Sequence, residues 1–275
     1  MASGLCAMDL TSAQFDTIRS LLYETCGIKL AEGKESLVKS RLMRHIRLLG
    51  LSGFDEYLDH LESDTANGER IALIDALTTN KTSFFREYAH FTFLRERILP
   101  PLLREKPGLR IWSAGCSTGE EPYSIAMELL EAIPDLSCRD VRILATDIST
   151  RVLKTAREGA YGQDEVRDIP ASQLQKYFTC SGAKNARVYR VKEILRKLVR
   201  FAPLNLMGNW PMKGPFDVIF CRNVMIYFEK PTQQWLVQRF WRLLESGGYL
   251  LVGHSESLTA SAHKFRYVQP ATYLK

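Results

Sequence analysis

The 275-residue sequence lacks any apolar run that approaches the roughly 18 residues of a membrane-spanning helix. It also lacks a basic leader followed by an apolar stretch, so we expect a cytoplasmic protein that does not insert into a membrane. Internal repeats and low-complexity segments are absent as well, which excludes a repeat architecture. The length instead predicts a globular chain of about two domains.

Cysteine and histidine are scarce and scattered along the chain. The six cysteines form no Cys-x-x-Cys pair and have no histidine at metal-ligand spacing, which predicts a reducing compartment and no metal site. The histidines show no pairing with an acidic residue that would indicate catalysis. We expect core or surface roles for all five, which are His45, His60, His90, His254 and His263.

Charge is distributed unevenly along the sequence. The net charge is +6, but residues 1–80 carry 8 Lys and Arg against 12 Asp and Glu, whereas residues 81–275 carry 29 against 19. The basic second part is typical either of an ordinary charged surface or of attraction to an acidic partner, whether protein or nucleic acid.

The first 80 residues have the periodicity of short helices and no strand-like alternation. Apolar residues recur at helical spacing after the cap candidate Thr11, and Gly27 closes that helix. Further helices are predicted at 34–49, where Gly50 ends the helix, at 54–61, and at 69–77 beyond a turn signal at Asn67-Gly68.

After residue 100 the pattern alternates between strand and helix, which predicts a parallel sheet with helices on both faces. The five predicted strands are "LRIWSAG", "VRILATDIS", "LVRFAPLNL", "FDVIFCRNV" and "GYLLVGHS", and the predicted helices are 120–132, 149–158 and 231–244. The segment 161–197 is too long for a simple crossover connection, and we expect an inserted subdomain there.

The turn after the first strand, in "SAGCSTGEE", is where a doubly wound sheet binds its ligand. Gly115 and Gly119 suit close backbone contact with an adenosine-type cofactor, although an ordinary tight turn has the same residues. Glu120 and Glu121 would repel the pyrophosphate of a dinucleotide at the helix N-terminus but attract a cationic sulfonium and amino group. The sequence therefore favours S-adenosylmethionine over NAD or FAD. Helix capping is the alternative role for the two glutamates.

Polar residues follow three of the later predicted strands. Asp147 can accept hydrogen bonds from both ribose hydroxyls, or it can cap the helix after Ser149. Asn205 can bind the adenine edge, and Asn223 the amino-acid part of the cofactor or the acceptor. Both asparagines can alternatively be structural turn residues.

The stretch "LTTNKTSFFRE", residues 77–87, connects the helical part to the sheet. Asn80, Thr82 and Arg86 form a polar strip beside Phe84 and Phe85, which can close over a pocket. The alternative is a linker with a capping threonine and a surface arginine.

Basic residues share one face of the second predicted helix. Lys34, Arg41, Arg44 and Arg47 lie beside its apolar stripe. This face is either a solvated helix surface or a docking site for an acidic helical bundle.

Taken together and in order, these motifs resemble those of the CheR family, the glutamate methyltransferases of chemotaxis receptors. The resemblance runs from about residue 10 to the end and rests on "LTTNKTSFFRE", "SAGCSTGEEPYSIA", "ATDIS", "CRNVMIYF" and "GGYLLVGHSES". It implies an α/β fold with a small all-α N-terminal domain at 1–80 and a Rossmann-like methyltransferase domain at 81–275. A small antiparallel β-subdomain is expected within the latter, at 161–197.

The resemblance also implies that S-adenosylmethionine donates a methyl group to glutamate γ-carboxylates in the cytoplasmic helices of chemoreceptors, leaving S-adenosylhomocysteine. A receptor C-terminal peptide can dock on the β-subdomain in some members, and we expect a monomer that binds no nucleic acid. Because glutamate is ionised at neutral pH, the reaction needs no general base. The expected acceptor-orienting residues are Arg86 and Tyr227, although Arg86 can serve the cofactor alone and Tyr227 can be a packing residue. The expected receptor contacts are Arg41, Arg44 and Arg47, and the expected cofactor contacts are Asn80, Thr82, Arg86, Glu121, Asp147, Asn205, Leu206, Asn223 and Val224, with Glu120 less certain.

Three other functions are compatible with parts of this pattern. A nucleic-acid methyltransferase would explain the basic second part, but "RNVMIYF" does not resemble the Asn/Asp-Pro-Pro-aromatic motif of enzymes that methylate base amino groups. A scaffold that binds S-adenosylmethionine without turnover is the second, and an NAD oxidoreductase, disfavoured by the glutamates, is the third.

Overall fold

The computed structural model describes residues 9–63, 67–183, 186–258 and 263–275. The N-terminal part folds into four helices, which confirms the sequence-based prediction: α1 (Ser12–Cys26), α2 (Glu35–Leu48), α3 (Phe54–Glu62) and α4 (Asn67–Leu77). The predicted turn at Asn67-Gly68 is wrong, because these two residues begin α4. No helix in the described part of the chain has both the length and the apolar character needed to cross a membrane.

Helix α1 has the ends that its sequence predicts. The Thr11 hydroxyl accepts a hydrogen bond from the Gln14 backbone N–H while the Gln14 side chain accepts one from the Thr11 N–H, a capping box. At the other end, Gly27 has a φ of 72° and donates its N–H to the carbonyl of Tyr23. The buried face of α1 packs into a separate apolar core shared by the four helices.

Beyond α4 lie three helical segments that were not predicted, and from β1 onwards strands and helices alternate as predicted. In chain order they are α5 (Ala89–Phe93), a π-helical turn (Leu94–Ile98), α6 (Leu99–Glu105), β1 (Gly108–Ala114), α7 (Glu120–Ala132), a 3-10 turn (Leu136–Cys138), β2 (Asp140–Asp147), α8 (Thr150–Glu158), β3 (Ala160–Gly162), α9 (Ala171–Tyr177), β4 (Phe178–Ser181), β5 (Val188–Val191), α10 (Glu193–Arg196), β6 (Val199–Pro203), β7 (Phe216–Cys221), a 3-10 turn (Met225–Tyr227), α11 (Lys230–Leu243), β8 (Leu244–Val252), β9 (Arg266–Gln269) and β10 (Thr272–Leu274).

The main sheet has the strand order β6-β2-β1-β7-β8-β10-β9. The five strands predicted from the sequence run parallel, and the antiparallel strands β10 and β9 at one edge were not predicted. The inserted segment forms a second, antiparallel sheet with the order β3-β5-β4, as the family resemblance implied.

Both faces of the main sheet are covered, as a largely parallel sheet requires. Successive residues of β1 point to opposite faces, so Ile111 lies in the core that contains α7 and Trp112 lies in the core that contains α11. The Trp112 indole packs edge-on against Trp210 at 4.9 Å between ring centroids and donates its N–H to the Thr146 hydroxyl. The sheet is thereby fixed as a rigid platform for the loops at its ends.

The carboxyl ends of β1, β2, β6, β7 and β8 meet at one edge of the sheet, and the N-terminal helices cover that edge. The Asn205 side-chain amide donates to the Thr25 carbonyl (2.6 Å), and the Lys29 N–H donates to the Tyr227 carbonyl (3.0 Å). These contacts lie across the predicted division between 1–80 and 81–275, which stays a prediction. They close one side of a cavity.

Candidate active site

A cavity of about 400 Å³ lies between the N-terminal helices and the carboxyl edge of the sheet. Its volume is in the range of small-molecule sites, and residues from both parts of the chain form its walls. The structure brings together in its lining every expected cofactor contact and Tyr227: Asn80, Thr82, Arg86, Glu121, Asp147, Asn205, Leu206, Asn223, Val224 and Tyr227. That these residues contact a cofactor stays a prediction.

The turn after β1 leaves no room for a side chain at its first glycine. Gly115 has a φ of 90°, and a Cβ atom there would lie 2.3 Å from Cγ2 of Val224. Its N–H and that of Cys116 both donate to the Thr146 carbonyl, which ties the turn to the end of β2. The absence of a side chain lets the backbone of this turn line the cavity directly.

The two glutamates at the start of α7 have different environments. Glu121 lines the cavity, where its carboxylate accepts a hydrogen bond from the Ser113 hydroxyl (2.7 Å) and pairs with the Arg222 guanidinium (3.0 Å). Burial raises the pKa of Glu121, and Arg222 opposes that rise. Glu120 does not line the cavity. It is buried and accepts hydrogen bonds from the Thr118 hydroxyl.

Asp147 is a buried carboxylate held by backbone donors. Its Oδ2 accepts from the Ser117 N–H (2.8 Å) and its Oδ1 from the Ser149 N–H (2.9 Å). Burial raises its pKa, and these two N–H groups act in the opposite direction. The alternative role as a helix cap is wrong, because the Ser149 hydroxyl caps α8 by accepting the Val152 N–H.

The two asparagines already have partners in the protein. Besides donating to Thr25, Asn205 accepts the Met207 N–H at Oδ1 (2.9 Å), so its amide fixes both the loop after β6 and the contact with α1. Asn223 has a φ of 58° and donates its backbone N–H to Glu256 (2.7 Å). Its side-chain N–H points at the Glu87 carboxylate, 3.4 Å away. Each asparagine therefore has a structural role, whatever it binds in the cavity.

The stretch before α5 folds against the glycine turn. Phe84 and Phe85 are buried, and the Ser117 hydroxyl donates to the Asn80 carbonyl (2.9 Å). The Arg86 guanidinium donates to the Lys81 carbonyl (2.8 Å) and lines the cavity. Phe84 and Phe85 belong to the core on the α7 side of the sheet, whereas Asn80, Thr82 and Arg86 line the cavity.

Tyr227 connects the two parts of the chain across the cavity. Its hydroxyl donates to the Thr79 carbonyl (3.1 Å), and burial raises its pKa. At neutral pH the hydroxyl is therefore protonated and serves as a hydrogen-bond donor.

Sequence reasoning missed three charged residues that hold the site together. Arg222 is buried beside the cavity and bonds to Glu121, to the Glu87 carboxylate (3.1 Å) and to the Arg86 carbonyl. Burial acts to raise the pKa of Glu87, but Arg222 and His254 together outweigh it and the net shift is downward. Glu256 accepts the backbone N–H groups of Asn223, Gly253 and Ile226. All three lie within the motifs quoted above. A charged residue inside an apolar or glycine-rich motif is the sequence feature that could have identified them.

The sequence predicts that Glu120 and Glu121 together make the entrance of the site negative, and this prediction is wrong. The charge of Glu121 is compensated by Arg222, and Glu120 faces elsewhere. Three exposed lysines line the cavity at its outer side instead, Lys29, Lys34 and Lys81, of which Lys29 is paired with Glu229 (2.7 Å). Glu121 and Asp147, the two carboxylates of the lining, lie inside the cavity, and the mouth of the cavity is basic.

The expected receptor contacts on α2 differ from one another. Arg41 is half-buried and donates to the carbonyls of Leu77 (2.8 Å) and Thr78 (3.3 Å), which caps the end of α4. Arg44 and Arg47 are exposed further along the same helix. Arg41 therefore has a structural role at the end of α4.

Comparison with known proteins identifies the family and the cofactor. Residues 13–78 match the model described as CheR methyltransferase, all-alpha domain, and residues 80–274 match the CheR methyltransferase, SAM binding domain. The cofactor is therefore S-adenosylmethionine, and the chain is an S-adenosylmethionine-dependent methyltransferase. The site fits this cofactor, because Asp147 offers a buried carboxylate for hydroxyl groups and Gly115 an unobstructed backbone.

Curated relatives agree over nearly the whole length. A probable chemotaxis protein methyltransferase of Rhizobium etli is 45% identical over 257 residues, which is 92% of this chain and 96% of the relative. Chemotaxis protein methyltransferase 2 of Pseudomonas aeruginosa is 46% identical over 264 residues, 96% and 93% of the two chains. The chemotaxis protein methyltransferase of Escherichia coli is 44% identical over 258 residues, 93% and 88% of the two chains. The chain belongs to the CheR family of methyltransferases.

Proposed function

We propose that this chain methylates the γ-carboxylate of glutamate residues in the cytoplasmic helices of chemotaxis receptors. The names of the relatives support chemotaxis methylation as the reaction class. The choice of a carboxylate as acceptor is supported by the chemistry of the cavity and by the charge around its mouth.

The cavity offers no free general base for an acceptor that must lose a proton. No histidine occurs in its lining within the described part of the chain, and burial raises the pKa of the Cys26 thiol to about 11. Glu121 is paired with Arg222, and Asp147 is held by two backbone N–H groups. The acceptor must therefore be a nucleophile in its ordinary state at neutral pH, and a glutamate carboxylate meets that condition.

The basic mouth is the observation that carries the proposal. Lys34 and Lys81 are exposed at the cavity, and Arg86 lines it as well. Cationic side chains at an entrance attract acidic segments and repel basic ones. A glutamate-rich helix matches this charge.

Bound S-adenosylmethionine supplies an electrophilic methyl group, and the chain positions the two reactants. We assign cofactor contacts to the nine lining residues expected from the sequence: Asn80, Thr82, Arg86, Glu121, Asp147, Asn205, Leu206, Asn223 and Val224. Arg86 orients the acceptor carboxylate by donating hydrogen bonds to it, and the Tyr227 hydroxyl does so when it exchanges its bond to the Thr79 carbonyl for one to the carboxylate. The enclosing helices exclude water from the site.

Two surfaces outside the cavity serve receptor binding in this proposal. Arg44 and Arg47 on α2 contact the acidic receptor helix. Strand β4 is an edge strand with Thr179, Cys180 and Ser181 exposed, and an extended receptor C-terminal peptide can add to it. The protein acts as a monomer in the cytoplasm, where the receptor helices lie.

Incubation with methyl-labelled S-adenosylmethionine and receptor-containing membranes tests the proposal. We expect label on receptor glutamates that base releases as a methyl ester, and none on a receptor whose acceptor glutamates are replaced by glutamine. Label on nucleic acid would instead indicate the nucleic-acid methyltransferase. Cofactor binding without transfer to any receptor would indicate the non-catalytic scaffold.

A further inference from the structure

Three potential metal ligands meet behind the cavity: Glu87 and His90 lie three residues apart, and His254 comes from the other end of the domain's sequence. Nδ1 of His90 lies 3.5 Å from the Glu87 carboxylate, and Nε2 of His254 lies 4.0 Å from it. One ligand atom from each of the three residues lies within 4.8 Å of the others, and the two imidazole rings are 5.0 Å apart at their centroids.

His90 lacks the hydrogen bonds that a buried imidazole normally makes. Its side chain is fully buried, and neither ring nitrogen makes a hydrogen bond of normal geometry among the described residues, although the backbone of Pro270 lies near the ring. A buried polar atom without a partner is unfavourable, and it calls for a ligand that the chain itself does not supply.

We propose that Glu87, His90 and His254 bind a zinc ion. Neutral imidazole and carboxylate are the nitrogen and oxygen ligands that zinc prefers, and three protein ligands are typical of sites that leave one coordination position open. Bonds of about 2.1 Å in a tetrahedral site separate the ligand atoms by roughly 3.4 Å. The exposed His254 side chain can move to close the remaining gap, and it provides the route of entry.

The position of Arg222 determines how tightly this site holds zinc and links it to the cofactor cavity. Its guanidinium shares the Glu87 carboxylate and carries positive charge beside the ion, which weakens binding relative to a four-ligand structural zinc site. The ion is therefore removable by a chelator without unfolding the protein. The same Arg222 holds Glu121 in the cofactor cavity, so the zinc site shares one ion-pair network with the active site.

Zinc titration of the full chain by calorimetry tests this site. Cys6, Cys138 and Cys180 are first replaced by serine. Cys138 and Cys180 are exposed, and thiols are zinc ligands that would compete with the proposed site, while Cys6 lies outside the described residues. We expect one zinc per chain in this background, and a loss of about tenfold or more in affinity on His254→Ala. The control His60→Ala removes a histidine of α3, far from the cluster in the fold, and leaves the affinity unchanged.

Equal zinc affinity in His254→Ala and His60→Ala would overturn the proposal, and so would the absence of saturable binding in the parent. Because His254 is exposed, its truncation leaves the fold intact, and circular dichroism checks this point. Cobalt provides a second readout, since Glu87 and the two histidines give visible ligand-field bands without thiolate charge transfer. Loss of those bands in His254→Ala supports the site, and their persistence contradicts it.

Discussion

At the scale of single residues, the cavity depends on buried charges that the backbone and neighbouring side chains hold in place. Asp147 illustrates the arrangement, because two N–H groups bind its oxygens while burial disfavours its charge. Hydrogen bonds to a charged group contribute about 1.5–3 kcal/mol each, and they keep the carboxylate in one orientation. A side chain fixed in this way can bind ribose hydroxyls without first being ordered.

Asp147→Asn should weaken cofactor binding by roughly 10- to 100-fold. The amide carries one acceptor oxygen in place of two, so it cannot bind both backbone N–H groups and also receive the hydroxyls. Calorimetric titration with S-adenosylhomocysteine measures the loss, and Asp135→Asn, at an exposed carboxylate, is the control. Unchanged affinity would refute the assignment of Asp147.

Tyr227→Phe should slow methyl transfer without changing cofactor affinity, because it removes one hydroxyl donor and leaves the ring in place. A single lost hydrogen bond of about 1 kcal/mol corresponds to a rate that is several-fold lower. Single-turnover transfer and a binding titration separate the two effects. Tyr267→Phe alters a tyrosine that is 54% exposed on β9 and should behave as the parent. If Tyr227→Phe weakens binding instead, the side chain belongs to the cofactor contacts.

At the scale of elements, the glycine turn between β1 and α7 joins the sheet to the loop after β7. Gly115→Ala introduces a strained positive φ and a contact with Val224, whereas Gly33 has a φ of 79° with nothing within 4 Å. Gly33→Ala should therefore lose about 1 kcal/mol of unfolding free energy, and Gly115→Ala about 1–3 kcal/mol more. Urea denaturation measures both variants. Equal losses would mean that the turn relaxes away from Val224.

Helix α2 carries arginines with two different roles, and the proposed receptor contact is tested on the exposed pair. Arg44→Glu with Arg47→Glu should reduce receptor methylation about tenfold and leave cofactor affinity intact, because both side chains lie outside the cavity lining. Arg97→Glu with Arg104→Glu, at two exposed positions outside the cavity lining, changes the net charge by the same amount and is the control. Arg41→Glu should lower stability, because the end of α4 loses its donors. Unchanged receptor methylation in the double variant would remove α2 from the interface.

Signals between neighbouring residues predicted most helices and strands. The predictions that were wrong depend on charged residues that are far apart in the sequence and pair only in the fold. Thr11 and Gly27 marked the ends of α1 because capping involves neighbouring residues alone. The negative entrance was wrong because Arg222 comes from the end of β7, 101 residues from Glu121. The same reason hid the cluster of His90 and His254, which the sequence presents as scattered histidines. The family motifs predicted which residues line the cavity. A motif does not show, however, which of its charged residues pair with one another in the fold.

At the scale of the whole molecule, Glu120 makes stability depend on pH. Burial raises its pKa from 4.5 to about 7, with the Thr118 hydroxyl opposing and Glu165 reinforcing the rise. The folded state therefore binds the proton more tightly than the unfolded chain. The resulting stabilisation is complete below about pH 4.5 and is lost as the pH rises through about 7.

Glu120→Gln should abolish this dependence. Relative to the variant, the unfolding free energy of the parent should fall by no more than about 3 kcal/mol between about pH 5 and about pH 8. Denaturation across that range gives the difference, and Glu105→Gln, at an exposed position, controls for the loss of one carboxylate. A difference that stays constant or grows in the opposite direction would contradict the raised pKa.

The contact between the N-terminal helices and the carboxyl edge of the sheet limits how the sequence of this protein can evolve. A side chain at Gly27 would meet Met207 in the loop after β6, and the Asn205 amide in that loop donates to the backbone carbonyl of Thr25, so a change at Gly27, Asn205 or Met207 affects both parts of the chain. A chimera that takes its helical domain from one relative and its sheet from another would inherit mismatched walls around the methyl donor. The two domains are thus bound to diverge as a pair.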